Sequence, residues 1–148
     1  MVTIATIRTD IWNTFYSIIN DNVTDPKAST RNKWIYTTFP ENKVKSKGDL
    51  PILCISPVKT SWNRIGNHGT YCNFNLDIEI NISSAELVDT YSDLIENAIK
   101  TNLKTLRNTN KLAFIEMDID DEDPDNRDSY QIHRRIVTVS GVHFFRRD

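Results

Sequence analysis

The densest group of side chains able to do chemistry lies at 116–128, "EMDIDDEDPDNRD". It holds eight of the chain's 20 acidic residues and one base, Arg127, so it sums to −7 against −2 for the whole protein. A calcium loop of the EF-hand kind needs oxygen ligands at fixed positions, a glycine at the sixth and a bidentate carboxylate at the twelfth. Counted from Asp118 those two positions hold Asp123 and Ser129; counted from Asp121 they hold Asn126 and Ile132. Both registers fail, and the stretch contains no glycine. Repelling carboxylates oppose burial unless they are paired or bound to metal, so the stretch reads as a solvated hairpin tip. A nonspecific divalent-cation site stays open; no dedicated metal site or cofactor is expected.

Two carboxylate pairs, Asp77-x-Glu79 and Glu116-x-Asp118, have a spacing that metal-dependent nucleases use to hold magnesium, often with a lysine nearby. Ile80-Asn81 follows one pair and Ile119-Asp120 the other, so the lysine is missing from both. The histidines His68, His133 and His143 are scattered, and neither a CxxC nor an HxxxH pair accompanies them, which argues against zinc. No GxSxG elbow, phosphate-cradling glycine loop or dinucleotide fingerprint occurs. The residues give no nucleophile, and the chain is expected not to be an enzyme.

Any such residues must be placed by the surrounding elements. At 148 residues, with 39% hydrophobic and 26% charged residues, the chain fits one domain with one core. Cys54 and Cys72 sit inside apolar runs, which suggests buried thiols and a reducing compartment. The opening "MVTIATIRTDIW" lacks the basic region and apolar run of a secretory signal, and no apolar stretch is long enough to span a membrane. The near-neutral net charge makes no broad case for gripping nucleic acid.

Along 3–22, Ile4, Ile7, Ile11, Phe15 and Ile18 recur at helical spacing, widened by Trp12 and Ile19. "KWIYTTF" (33–39) and "PILCISPV" (51–58) read as strands, separated by a polar, mobile loop at 41–49 that carries Lys43, Lys45 and Lys47. "KTSWNRIGNHG" (59–69) reads as a hairpin loop or a partly ordered arm. In "YCNFNLDIEINI" (71–82) six apolar and six other residues alternate, the pattern of a strand with one buried face. Ser83 and Glu86 suit a capping box, and Leu87, Tyr91, Leu94, Ile95, Ala98, Ile99 and Leu103 make one apolar helix face. Lys100 and Lys104 suit that helix's C-terminal dipole. "LAFIEMDI" (112–119) and "YQIHRRIVTVSGVHFF" (130–145) form a closing hairpin around the acidic stretch, with Ser140-Gly141 marking a bulge or bend. The expected class is α+β: a mostly antiparallel β-sheet with two α-helices packed on one face, in the order α-β-β-β-α-β-β.

The bases of the last strand are Arg134 and Arg135, followed at the end by Arg146 and Arg147. Strand alternation sends Arg134 and Arg135 to opposite faces, so at least one should meet a carboxylate or reach the sheet edge. A neighbouring copy's acidic hairpin could supply that carboxylate.

This layout, with the strings "DLPILCISP", "YCNFNLDIEINI" and "YQIHRRIVTVSGVHF", resembles the tail terminator, or tail completion, proteins of long-tailed bacteriophages and related archaeal viruses. The resemblance covers nearly the whole chain and rests on element order rather than on an invariant motif. It implies a homo-oligomeric ring, usually hexameric, that caps the tail tube, ends its polymerisation and offers a surface to the head-completion or connector protein. Double-stranded DNA would pass through the opening. The chain would be assembled in the host cytoplasm and reside in the tail or neck of the virion, away from membranes. The residues implied in contacts between copies or partners are Arg134, Arg135, Trp62, Arg64, Asp120, Asp121, Glu122, Asp123 and Asp125. Those implied to face the lumen are Asp121, Glu122, Asp123, Lys43, Lys45 and Lys47. Another neck or head-completion component, or a small cytoplasmic binding domain, are the alternatives.

Overall fold

The computed structural model describes residues 2, 5–65 and 69–146, apart from the side chains of 64, 65, 145 and 146. Helix α1 (Ile7–Asn22) leads into strands β1 (Ile35–Tyr36), β2 (Ile52–Ile55), β3 (Lys59–Ile65) and β4 (Gly69–Ile82). Helices α2 (Ala85–Thr101) and α3 (Leu103–Asn108) follow, then strands β5 (Leu112–Asp121), β6 (Asp125–Asn126) and β7 (Gln131–Arg146). The class is α+β, with a mixed sheet whose main path runs β1-β2-β4-β7-β5.

Strand β4 sits at the centre because its alternation gives it one wholly apolar side. Cys72, Phe74, Leu76, Ile78, Ile80 and Ile82 are all 2% exposed or less. Strand β7 pairs antiparallel with β4 along its whole length, from Gly69↔Arg146 to Ile82↔His133. On the other edge β2 and β3 lie end to end, β2 against 78–81 and β3 against 69–75. The segment 59–69, expected as a loop or arm, is thus largely a strand. Its small polar residues and two glycines hid the alternation, and its tip at 66–68, with His68, lies outside the described residues.

The remaining differences also have local causes. Strand 33–39 shortens to two residues, and these run parallel to β2, which makes the sheet mixed. Helix α1 holds despite its β-branched residues because Ile7, Ile11, Phe15 and Ile19 are buried, so packing outweighs weak propensity. Its expected start, with Ile4, lies outside the described residues. Helix α2 begins later than expected, with Ser84 rather than Ser83 at its N-cap and no side-chain capping bond. Its buried face is Val88, Ser92, Ile95, Ala98 and Ile99, while Leu87, Leu94 and Leu103 are exposed. A face carrying Ser92 and Ala98 lets the helix lie closer to its neighbours than one carrying bulky leucines. Asn102 (φ −101°, ψ 5°) interrupts the helix, and a third short one follows.

Loop 41–49 is built from two 3₁₀ turns, and a capping box joins Ser46 and Asp49. The bulge lies on β5 rather than at Ser140-Gly141: Ala113 pairs with Val142 and Glu116 with Ser140, so Phe114 and Ile115 both stand opposite Gly141.

Ile11, Phe15, Ile19, Ile95, Ile99 and Leu106 share one core with the apolar side of β4, Leu53, Ile55, Val137 and Val139. All three helices therefore lie on one face of the sheet. A second, smaller core of Val44, Leu50, Ile52, Cys54 and Ile132 covers only one end of the opposite face. The rest of that face is open.

Candidate functional site

The acidic stretch is more ordered than a hairpin tip. Its first half continues β5 as far as Asp121, and Asp125–Asn126 pair with Ile132 and Gln131 of β7. Asp118 and Asp120 stand opposite Thr138 and Ile136 and point to the open face, while Asp121 stands opposite Arg135 on the helix side. Asp120, Asp121, Glu122 and Asp123 are exposed; Asp125 is half-buried.

Three arginines organise this end of the molecule. Arg127 donates both ends of its fork to Glu41, at 2.9 and 3.2 Å, and also reaches Asp125 at 2.8 Å. Arg134 donates from Nε to the buried Asn81 Oδ1 at 2.8 Å and pairs with Asp125 at 3.1 Å. Its guanidinium lies 4.8 Å from the Phe39 ring centroid, a cation–π contact, and Glu79 is 3.9 Å away. Arg135 meets Asp121 at 2.6 Å and Asp89 of α2 at 2.5 Å. Hydrogen bonds from Arg135 hold the Asp121 carboxyl below the usual carboxylate range, and those from Arg127 do the same for Asp125. Hydrogen bonds to Glu41 and then to Asp125 raise the pKa of Arg127, and the bond to Asp121 raises that of Arg135. Arg134 and Arg135 therefore find their carboxylates within their own chain.

The other expected residues do not join this group. Lys43 and Lys47 are exposed on the two 3₁₀ turns, and Lys45 is exposed between them. Trp62 is 43% exposed on β3, opposite Cys72. Arg64 lies in the same strand, but its side chain is outside the described residues.

Asp77, Glu79, Glu116, Asp118 and Asp120 all project from the open side of the sheet, and Glu122 joins Asp77, Glu79 and Arg134 around a cleft of about 400 Å³. Asp77 accepts a hydrogen bond from Thr138 at 2.7 Å. The pleat sets these carboxylates two residues apart along the strands and so spreads them over the surface. Among the described residues no three His, Cys, Asp or Glu side chains converge to hold a metal ion. Cys54 and Cys72 are buried and unbridged. Burial, with some help from Glu79, pushes the Cys54 thiol up to about 12, which keeps it protonated and un-nucleophilic. No described helix is long and apolar enough to cross a membrane.

Sequence reading missed an aromatic group beside the bulge. Phe114 (72% exposed) and Phe144 (44%) meet edge to face at 6.2 Å, and Tyr71 lies 6.1 Å from Phe144. The register of β4 against β7 pairs Tyr71 with Phe144, but Phe114 joins them only through the slip on β5. No protein-family model and no curated protein matches the chain. Its function is therefore read from its own surfaces.

Proposed function

We propose that this chain is a virion assembly protein of the tail-terminator kind. Copies form a ring on the end of the tail tube, stop its growth and present a surface to the head connector. DNA passes through the opening, and the protein performs no catalysis. The observation that supports this most is the division of the sheet. One face carries the helices and the main core; the other, beyond the small second core, presents exposed Glu116, Asp118 and Asp120 and half-buried Asp77 and Glu79, the last beside Arg134. Such a face turned to a lumen repels phosphates and lets DNA slide, where a basic lining would hold it. The edge suits self-association, since among the described residues β5 has β7 as its one sheet neighbour and leaves its outer side open.

The direct test is to delete the coding sequence from the genome that carries it and image the particles by electron microscopy. Tail tubes of uncontrolled length, separated from filled heads, are expected. Tails of normal length joined to heads would contradict the proposal.

A further inference from the structure

The chain is electrically bipolar along β5. Residues 100–111, "KTNLKTLRNTNK", carry four bases, Lys100, Lys104, Arg107 and Lys111, and no acid. They lie on the end of α2, on α3 and in the turn beyond, next to where β5 begins. All four are exposed, and among the described residues none forms an ion pair. Strand β5 then runs ten residues to the acidic end, about 30 Å away at the usual rise per residue. There Asp118, Asp120, Glu122 and Asp123 are exposed and also have no ion-pair partner among the described residues.

The basic end is also concave and apolar. Leu103, Lys104, Arg107, Ala113 and Phe114 line a groove of about 360 Å³. Leu103 is 40% exposed and Phe114 72%. Phe114 has φ +54°, a left-handed conformation that costs a non-glycine residue about 1 kcal/mol or more. An aromatic ring held outward from strained backbone at the lip of a basic groove is suited to a contact.

We infer that this groove receives the acidic hairpin, 118–125, of a second copy of the chain, head to tail. Charge complementarity selects that occupant. The hairpin is the chain's own densest run of acid, it is present at the same concentration as the groove, and its free carboxylates match the unpaired bases. Because groove and hairpin sit at opposite ends of β5, the contact is heterologous and leaves a free groove and a free hairpin after each addition. Repetition of such a contact closes into a ring when the rotation between copies allows it. The inference deepens the ring reading above and rests on it. It also replaces Arg134 and Arg135 as the basic side of a contact between copies, since both are occupied within the chain.

The test is a charge swap read by multi-angle light scattering in about 0.1 M salt, where charges beyond ~10 Å are screened and only contacting ones count. One variant carries Lys104→Glu and Arg107→Glu, another Asp120→Lys and Asp123→Lys, and a third carries all four. Circular dichroism confirms folding, as every position is exposed. The expected result is that the wild type forms oligomers and each two-site variant dissociates at least tenfold more readily. The four-site variant and an equimolar mixture of the two partial variants should associate again. Oligomers unaffected by either partial variant would overturn the contact while leaving the ring reading intact. Loss of association without rescue would overturn the pairing of groove with hairpin. A wild type that never associates would sink ring and contact together. If the first variant instead abolishes binding of a short double-stranded DNA and leaves association unchanged, the groove is a nucleic-acid site and the inference is wrong.

Discussion

The Cδ1 of Ile115 lies 2.8 Å from the point where a Cβ on Gly141 would sit, and Phe74 Cζ is equally close. The missing side chain at 141 makes room for the one extra residue of β5, where Phe114 and Ile115 face a single partner, and for Phe74 to fill the core beneath. Gly141→Ala is expected to destabilise the fold by about 1–3 kcal/mol, as overpacking does. A urea titration should show the midpoint fall with little change in slope. An unchanged midpoint would mean that the bulge yields freely.

Phe114, on the other side of that slip, is predicted to behave in the opposite way. Phe114→Gly relieves the positive φ and removes an exposed ring, so the isolated chain should gain up to about 1 kcal/mol after the entropic cost of glycine is subtracted. Its self-association should weaken. A variant with a lower melting temperature and unaltered association would contradict both expectations.

Arg134 anchors the buried Asn81 and bridges it to Asp125. Arg134→Met leaves the Asn81 carbonyl without that donor and should cost about 1–3 kcal/mol. Arg134→Lys should recover little, because one ammonium cannot reproduce the planar fork that serves Asn81, Asp125 and the Phe39 ring. Thermal melts of the two variants check this.

His143 is buried opposite Cys72 and Leu112. Burial lowers its pKa, and a backbone hydrogen bond at Val2 opposes the shift only in part. The unfolded state therefore binds the proton first as pH falls. The stabilisation is fully present above the unfolded value near 6.5 and is lost progressively as pH falls from there through the lower folded value. Melting temperature should decline between pH 7.5 and 5, and His143→Gln should flatten that slope whatever its effect on absolute stability. An equal slope in the variant would assign the pH dependence to other groups.

Much of the scaffold was legible because burial imposes period on the sequence. Strand 71–82 and its partner 130–145 alternate over more than ten residues, and the structure moves their ends by only one or two positions. The face of α2 was legible only in part: Ile95, Ala98 and Ile99 are buried as expected, but Leu87 and Leu94 are as apolar as the residues that pack, and sequence does not show which side a neighbour approaches. Strand β3 was hidden because it alternates Lys59, Ser61 and Asn63 with Thr60 and Trp62, which gives little contrast. The partners of Arg127, Arg134 and Arg135 could not be read either. Glu41 is 86 residues from Arg127 and Asn81 is 53 from Arg134, and no local pattern links them. The aromatic lip needs the β5 register slip, which breaks the periodicity that sequence reading relies on.

Assembly into a closed ring is checked by the particle mass of the purified protein combined with negative-stain imaging. At tens of micromolar and low salt, particles of a few copies are expected, six being the number the proposed tail-terminator role favours, each with a central opening. A single species at the 17.1 kDa of one chain, with no rings in the images, would contradict it.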